Sequence, residues 1–500
     1  MAEHKHEAAK VHNFSLAFEQ MCSFVAIAST KNADETLREL ILQSLVILPE
    51  ERFETSEHIA GALDALFGLQ IPQHEIDAGL EVLEAANLIQ RPTGSNYTLP
   101  LEVRAKLRER ITAATALEDT VRQDWLQEIS EEYSISSPEQ LWKVLRDYLA
   151  KAFRRHGIQT TALLDPTVEI NSEYADSLGL LLKEALRGTT YEQQAMARSA
   201  IASFFASVNN YPERASYIAQ LADGAFSYFS LAVAPDIAER FRRQLNPLAL
   251  FLDTNFLFGI LGLTINPQVE VSNELLQSIA KHRLPFDLLY HYRTEQEINA
   301  SIANHKGVLL SRNWPRRLSR AATTSRYMSG IESMYHQRHA ESGIDVESFF
   351  RRFEHVDILL KGKSITQFRP KEDRLKERGI LYNEYKDWLE SKGRTKSYNL
   401  IDHDTTVLDQ VRQLRSSAKT SLDAGALLIT CDYTLFRFDW EASRGQGRTA
   451  STVLPNLLWQ TLRPFVPSDA DFDRAFAETF AIPEFRTIGS GATAASSKLL

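Results

Sequence analysis

The sequence predicts an α/β protein: a parallel sheet between helices in the C-terminal half, preceded by a half built of helices. Two patterns predict it. Short, dense apolar runs recur after residue 246, in "LALFLDTNFLFGIL", "PFDLLYHY", "AGALLITCDYTLF" and "STVLPNLLWQTL", with long helical or charged stretches between them. Runs of that length, apolar on both faces, suit strands buried on both sides of a parallel sheet. Before residue 246 the apolar residues recur at helical spacing instead.

Residues 1–32 form an N-terminal segment without the apolar stretch of a signal peptide. From 33 to 112 the order is helix, helix, helix, short β element. "DETLRELILQSLVIL" has helical periodicity, and "TSEHIAGALDALFGL" opens on the candidate caps Thr55 and Ser56. "IPQHEIDAGLEVLEAANLIQ" places Ile76, Leu80, Leu83 and Leu88 on one face, and "RPTGSNYTLP" reads as a turn with a short strand. This order resembles a winged-helix domain. Its third helix would carry His74, Glu75, Asp77, Glu81 and Glu84, an acidic surface better suited to protein contacts than to a phosphate backbone. Residues 113–245 are helical, with Pro or Gly at Pro138, Gly157, Pro166, Gly188 and Pro212, and with the aromatics of "EEYSI", "SFFASV" and "SYFSLA" as core. A protein partner would dock through these two regions.

Composition narrows the setting. The 500 residues need more than one core. Cys22 and Cys431 are the two cysteines, too few for a disulfide framework or a Cys-based zinc module, so a reducing, cytoplasmic setting is expected. The apolar passage 248–262 is interrupted well before the roughly 20 residues a membrane span needs, and no membrane is expected as partner. Formal net charge is −9, which as a total argues against nucleic acid. Between Ser301 and Leu400, however, 20 Lys and Arg stand against 12 Asp and Glu. No acid interrupts the basic run from Ile298 to Ile331, and "SRNWPRRLSR" sets Arg312, Arg316, Arg317 and Arg320 around Trp314. Arginines beside an indole suit phosphate contact with base stacking, although such a run also fits a plain solvated face. "KGKSITQFRPKEDRLKERG", mixed in sign, reads as a solvated helix.

The chemistry lies at the strand ends. Asp253, Thr254 and Asn255 follow "LALFL" directly, so Asp253 stands at the carboxyl end of a buried strand, where parallel sheets present ligands. Asp432 repeats the arrangement after "ALLIT" and Cys431, the latter read as a small core residue. "FDLLYHY" runs into "RTEQE" with Glu295 and Glu297, and "NLIDHD" opens a helix with Asp402, His403 and Asp404. Helix phase favours Asp404, which shares a face with Val407, Leu408 and Val411, while Asp402 faces Thr405, Thr406 and Asp409. His403 is read as a surface neighbour, and Glu295 is the fallback for Glu297.

These four acids, Asp253, Glu297, Asp404 and Asp432, in this order along strand ends and helix starts, resemble the acidic motifs of the PIN-domain nucleases over about 246–483. The resemblance implies a PIN-like twisted parallel sheet between helices and metal-dependent hydrolysis of phosphodiesters, mostly in RNA. It implies Mg²⁺ or Mn²⁺ on the four acids, with Asp253 central, Asp432 completing or supporting the site, and Thr254 and Asn255 in support. One departure is plain. Glu297 and Asp404 are separated by a basic insertion, about 306–396, expected to contact substrate or to cover the site.

Physics points the same way. Carboxylates about 5 Å apart repel by roughly 3 kcal/mol per pair at an effective dielectric near 20. Four of them must protonate, spread apart or bind a hard cation. Each acid also has a plain structural use: Asp253 and Asp432 fit helix caps or turns, and Thr294 with Glu297 fits a capping box. The reading is therefore a nuclease, expected to be an endoribonuclease. The alternatives are a degenerate PIN fold that binds RNA or protein without cutting, and a winged-helix transcriptional regulator. A homo-oligomer is allowed, and residues 484–500 are expected to form a disordered tail.

Overall fold

The computed structural model describes residues 33–462, apart from 49–52, 68–70, 92–95, 133–137, 165–185, 187–189, 233–244, 265–267, 324–329, 371–374, 417 and 419. The chain divides into two compact units: residues 1–161, 170–244 and 467–485 form one, and the rest form the other.

The first unit holds helices α1 (Ala33–Ile47), α2 (Ser56–Phe67), α3 (Gln73–Ala85), α4 (Leu101–Glu132), α5 (Pro138–Leu164), α6 (Tyr191–Ala206) and α7 (Pro212–Ala232). Helices α1–α3 pack on one another around Leu37, Ile41, Leu45, Ile59, Leu63, Ile76, Leu80 and Leu83. Gly79 lets α3 approach α1 closely, since a Cβ there would meet Ile41 Cδ1 at 3.1 Å. Among the described residues, a single antiparallel bridge, Gln90 to Thr98, marks the β element. Leu88 lies beyond the end of α3 and is exposed, not part of its buried face. Helix α4 runs through residue 112 unbroken, because no Gly or Pro interrupts residues 101–132. Of the aromatics read as core, Phe204 and Phe205 are buried; the side chains of Tyr133, Tyr228 and Phe229 lie outside the described residues.

The second unit carries the expected parallel sheet. Its strands are β1 (Leu248–Leu252), β2 (Phe286–His291), β3 (Thr366–Phe368), β4 (Ala426–Ile429) and β5 (Thr452–Val453), in the order β3-β2-β1-β4-β5, all parallel. Connecting them are α8 (Thr254–Leu261), α9 (Val269–Lys281), α10 (Tyr292–Leu310), α11 (Arg316–Ala322), α12 (Gly330–Ser342), α13 (Val346–Arg351), α14 (Val356–Lys361), α15 (Leu375–Ser391), α16 (Tyr398–Leu414), α17 (Tyr433–Gly445) and α18 (Pro455–Leu462). Phe251 and Leu428 meet Leu381, Tyr385, Leu408, Val411 and Phe438 from α15–α17. By the two-residue period of a strand, Leu250, Leu252, Leu427 and Ile429 face the other side of the sheet.

Two sequence expectations change here. The stretch read as a solvated helix contains β3, and α15 buries Leu381, Tyr385 and Leu389. The segment 306–396 is therefore no single insertion: β3 is a strand of the sheet and α15 packs into its core, which leaves helices α11–α14 as the excursion. The last apolar run is mostly α18, with only Thr452 and Val453 as strand. The expected limit at 483 and the tail lie outside the described residues. Among the described residues, no helix is long and apolar enough to cross a membrane.

Candidate functional site

The chain starts the sheet at its centre, steps outward through β2 and β3, then returns to the other side of β1 for β4 and β5. The reversal lies between β1 and β4, and ligands bind beyond the carboxyl ends of strands at such a switch point. Asp253 follows β1 and Asp432 follows β4 by three residues, so the two acids stand on neighbouring strand ends.

Both acids cap helices while serving the cluster. Asp253, 4% exposed, accepts from Thr254 N at 2.8 Å as the N-cap of α8, and from Thr430 Oγ1 at 2.7 Å. Asp432 accepts from Thr434 N at 2.7 Å and Leu435 N at 3.4 Å as the N-cap of α17. Thr430 ties the two together, since its Oγ1 also accepts from Asp432 N at 2.9 Å.

Helix α16 supplies two more groups. Asp404 lies on its buried face, as do Val407, Leu408 and Val411, whereas Asp402 turns away to Arg293 at 3.3 Å. His403 is a correction: it is 7% exposed, not a surface neighbour. Its Nε2 lies 3.2 Å from Thr294 Oγ1, and its Nδ1 lies 3.1 Å from Glu297 Oε2 and 3.6 Å from Asp404 Oδ1. Asp253, His403 and Asp404 each offer a ligand atom within 4.8 Å of the others.

Helix α10 positions Glu297, and the capping-box reading fails. Its N-cap is His291, whose Nδ1 accepts from Arg293 N at 3.4 Å, so the chain enters the helix three residues before Thr294. Thr294 is buried against His403, and Glu297 Oε2 accepts a hydrogen bond from Thr254 Oγ1. Glu295 points elsewhere, toward Tyr290 and Gln367, and is no substitute for Glu297. Asn255 is exposed on α8.

Lys396 was not foreseen. Its Nζ donates to Asp404 Oδ2 at 2.7 Å and also to Asp432 Oδ2. The four acids thus relieve their repulsion in two ways. Burial, with Asp404 and Glu297 adding to it, pushes the Asp253 carboxyl up to about 7. At the other end an internal ammonium bridges Asp404 and Asp432. Burial disfavours the Lys396 charge, but Asp404 and Asp432 outweigh it and raise its pKa. Burial likewise raises the Asp432 carboxyl, yet Lys396 and the backbone donors bring it below its ordinary value. Burial opposes charge on His403 too, and its acidic neighbours prevail and raise its pKa. His291, buried beside His403 and Arg293, is lowered to about 4. Cys431 is partly buried, and burial beside Asp253 pushes its thiol up.

The donor set fits a divalent cation. His403 Nδ1 is buried and faces the carboxylates of Glu297, Asp404 and Asp253. An ion held there would require the neutral ring, with the Nε2 proton donated to Thr294 and the Nδ1 lone pair turned to the cluster. The set is mixed oxygen and nitrogen, not oxygen alone as the sequence suggested. Asp439 shows the contrast: this buried acid takes donors from Ser451 N, Thr452 N, Thr452 Oγ1 and Arg412, and is fully used in holding β5.

The basic run sits at the far end of α10. Residue 310 closes that helix, about 20 Å along its axis from Glu297. Arg312, Arg317 and Arg320 are exposed. Arg316 Nη2 donates to the carbonyls of Ala340 at 3.1 Å and Glu341 at 2.8 Å, closing the last turn of α12. Trp314 is half-buried with its ring centroid 4.4 Å from His336, so it packs within the unit instead of standing open for a base. Compared with family models, curated proteins and solved structures, the chain matches none of them.

Proposed function

We propose that the sheet unit is a PIN-type, metal-dependent nuclease acting as an endoribonuclease, with the N-terminal helical unit serving recruitment or control. One observation carries this reading: at the sheet's switch point Asp253 from one strand end gathers with Asp404 and His403 from α16, and Asp432 from the neighbouring strand end joins Asp404 through Lys396. Asp253, His403 and Asp404 would hold the ion, with Glu297 beside them. Imidazole in the set favours Mn²⁺ over Mg²⁺. A bound divalent ion would supply an activated water and offset charge that builds on the phosphoryl group.

The chain's own residues do the rest. Thr430 and Thr254 N fix both oxygens of Asp253, and Thr254 Oγ1 fixes Glu297. Thr294 sets the His403 ring. Lys396 keeps Asp404 and Asp432 together, and its ammonium would face a phosphate bound at those acids. Arg312, Arg317 and Arg320 would add distant phosphate contacts.

A second reading has its own observation. An ammonium already bridging Asp404 and Asp432 also suits a degenerate site that binds RNA without cutting it. Labelled RNA and DNA incubated with wild type and Asp253→Asn, in Mn²⁺ and in EDTA, separate the two. The nuclease reading expects Mn²⁺-dependent cutting of RNA by wild type alone. Binding without cutting, across several metals, establishes the scaffold.

A further inference from the structure

An aromatic pair at the start of α16 has no part in the cluster. Tyr398 is the first residue of α16, two positions after Lys396, and it is 67% exposed. Its ring centroid lies 5.4 Å from that of Tyr382, at 45°. Tyr382 is partly buried and packs on the core that α15 and α16 share. An anchored ring therefore props up an open one. Tyr398 precedes Asp404 by six helical residues, a rise of about 9 Å.

Two cations stand just before Tyr398 in the chain. Arg394 is exposed, and its Nη1 donates to Thr434 Oγ1 at 2.6 Å, which fastens the segment before Tyr398 to the first turn of α17. Lys396 follows, on Asp404 and Asp432. A backbone phosphate at the acids would meet these cations while a neighbouring base reached Tyr398.

We propose that Tyr398, backed by Tyr382, is a stacking platform for a base of single-stranded nucleic acid whose phosphate lies at the acid cluster. The inference rests on the nuclease reading and adds a substrate class to it. A base in a duplex has its faces covered by its neighbours, whereas an unpaired base offers one to an aromatic ring. Stacking needs no particular base, so the platform selects strandedness over sequence.

The test is fluorescence anisotropy on the full chain with Ca²⁺ present. The probes are a labelled oligouridylate of about twelve nucleotides, an abasic ribose-phosphate strand of equal length, and a duplex. Wild type should prefer the oligouridylate to both others. Tyr398→Ala should lose about fivefold or more in affinity for it and no longer distinguish it from the abasic strand. Tyr398→Trp should keep the preference, and melting temperatures should not move. Retained preference in Tyr398→Ala overturns the platform, as does equal wild-type affinity for oligouridylate and abasic strand or for oligouridylate and duplex; the exposed ring is then left for protein contact. In those cases Mn²⁺-dependent cutting by wild type still upholds the nuclease. A wild type that neither binds nor cuts any strand overturns both.

Discussion

Lys396 Nζ stands 2.7 Å from Asp404 Oδ2 and bridges the same carboxylate to Asp432. One ammonium thus contacts two of the four acids and offsets one of their charges from within the chain, and a metal ion must compete with it or settle on the other side, at Asp253 and His403.

Replacing Lys396 by Met keeps the side chain's length and removes its charge. Asp404 and Asp432 are then left without their partner, a loss on the order of 3 kcal/mol for a largely buried pair. The metal-free variant should melt well below wild type. Mn²⁺ should recover more stability in the variant than in wild type, because its competitor is gone. Thermal melts with and without Mn²⁺ check this; equal melting temperatures in EDTA would show that the bridge contributes nothing.

The raised carboxyl of Asp253 makes metal-free stability depend on pH. Its ordinary value is 3.8 and its folded value about 7, so between these the native state holds a proton that the unfolded chain has released. Stability must then fall as pH rises from about 4 to 7 and level off above. Asp253→Asn removes that contribution. In EDTA the wild-type melting temperature should drop relative to the variant across this window, and parallel curves would refute it.

Glu297→Gln separates ligand from cap. Since His291 caps α10 and Gln keeps an oxygen for Thr254, the substitution should cost less than a lost helix cap, about 1 kcal/mol. It should weaken Mn²⁺ binding measured by calorimetry. A large stability loss with unchanged Mn²⁺ affinity would restore the structural reading.

What the sequence made legible follows from local pattern. Strand ends put Asp253 and Asp432 on one rim, and the phase of one helix separated Asp404 from Asp402. His403 was misread because adjacent helical residues differ by about 100°, which leaves it at the border of the buried stripe. Thr294 and Glu297 have capping-box spacing wherever the helix begins, so spacing could not reveal that His291 starts it. Lys396 reaches the acids by tertiary contact, and a basic residue ahead of a helix carries no periodic signal. Strand β3 has three residues with polar Thr366 and Gln367, too few to show a period. Trp314 reads like its exposed neighbours because a charge run does not tell which members pack inward, and Arg316, though exposed, is held by the carbonyls that close α12.

The exposed arginines should act at a distance. Changing Arg312, Arg317 and Arg320 to Ala should weaken binding of long RNA and lower its salt dependence by about 0.7 per lost phosphate contact. Binding of strands too short to span about 20 Å from the acids should not change. Arg316→Ala should instead destabilise the fold through α12, by about 1 kcal/mol. An unaltered salt slope in the triple variant would leave the run as solvated surface.

The most direct measurement is the single-turnover cleavage rate of a labelled RNA in Mn²⁺ for wild type, Asp253→Asn, Asp404→Asn and Asp402→Asn. If the cluster stabilises charge that develops only in the transition state, the first two variants should lose at least about a hundredfold in rate, with RNA affinity unchanged or tighter. Asp402→Asn, bound to Arg293 away from the cluster, should cut within a fewfold of wild type. Undiminished cutting by Asp253→Asn, or loss confined to Asp402→Asn, would contradict the account.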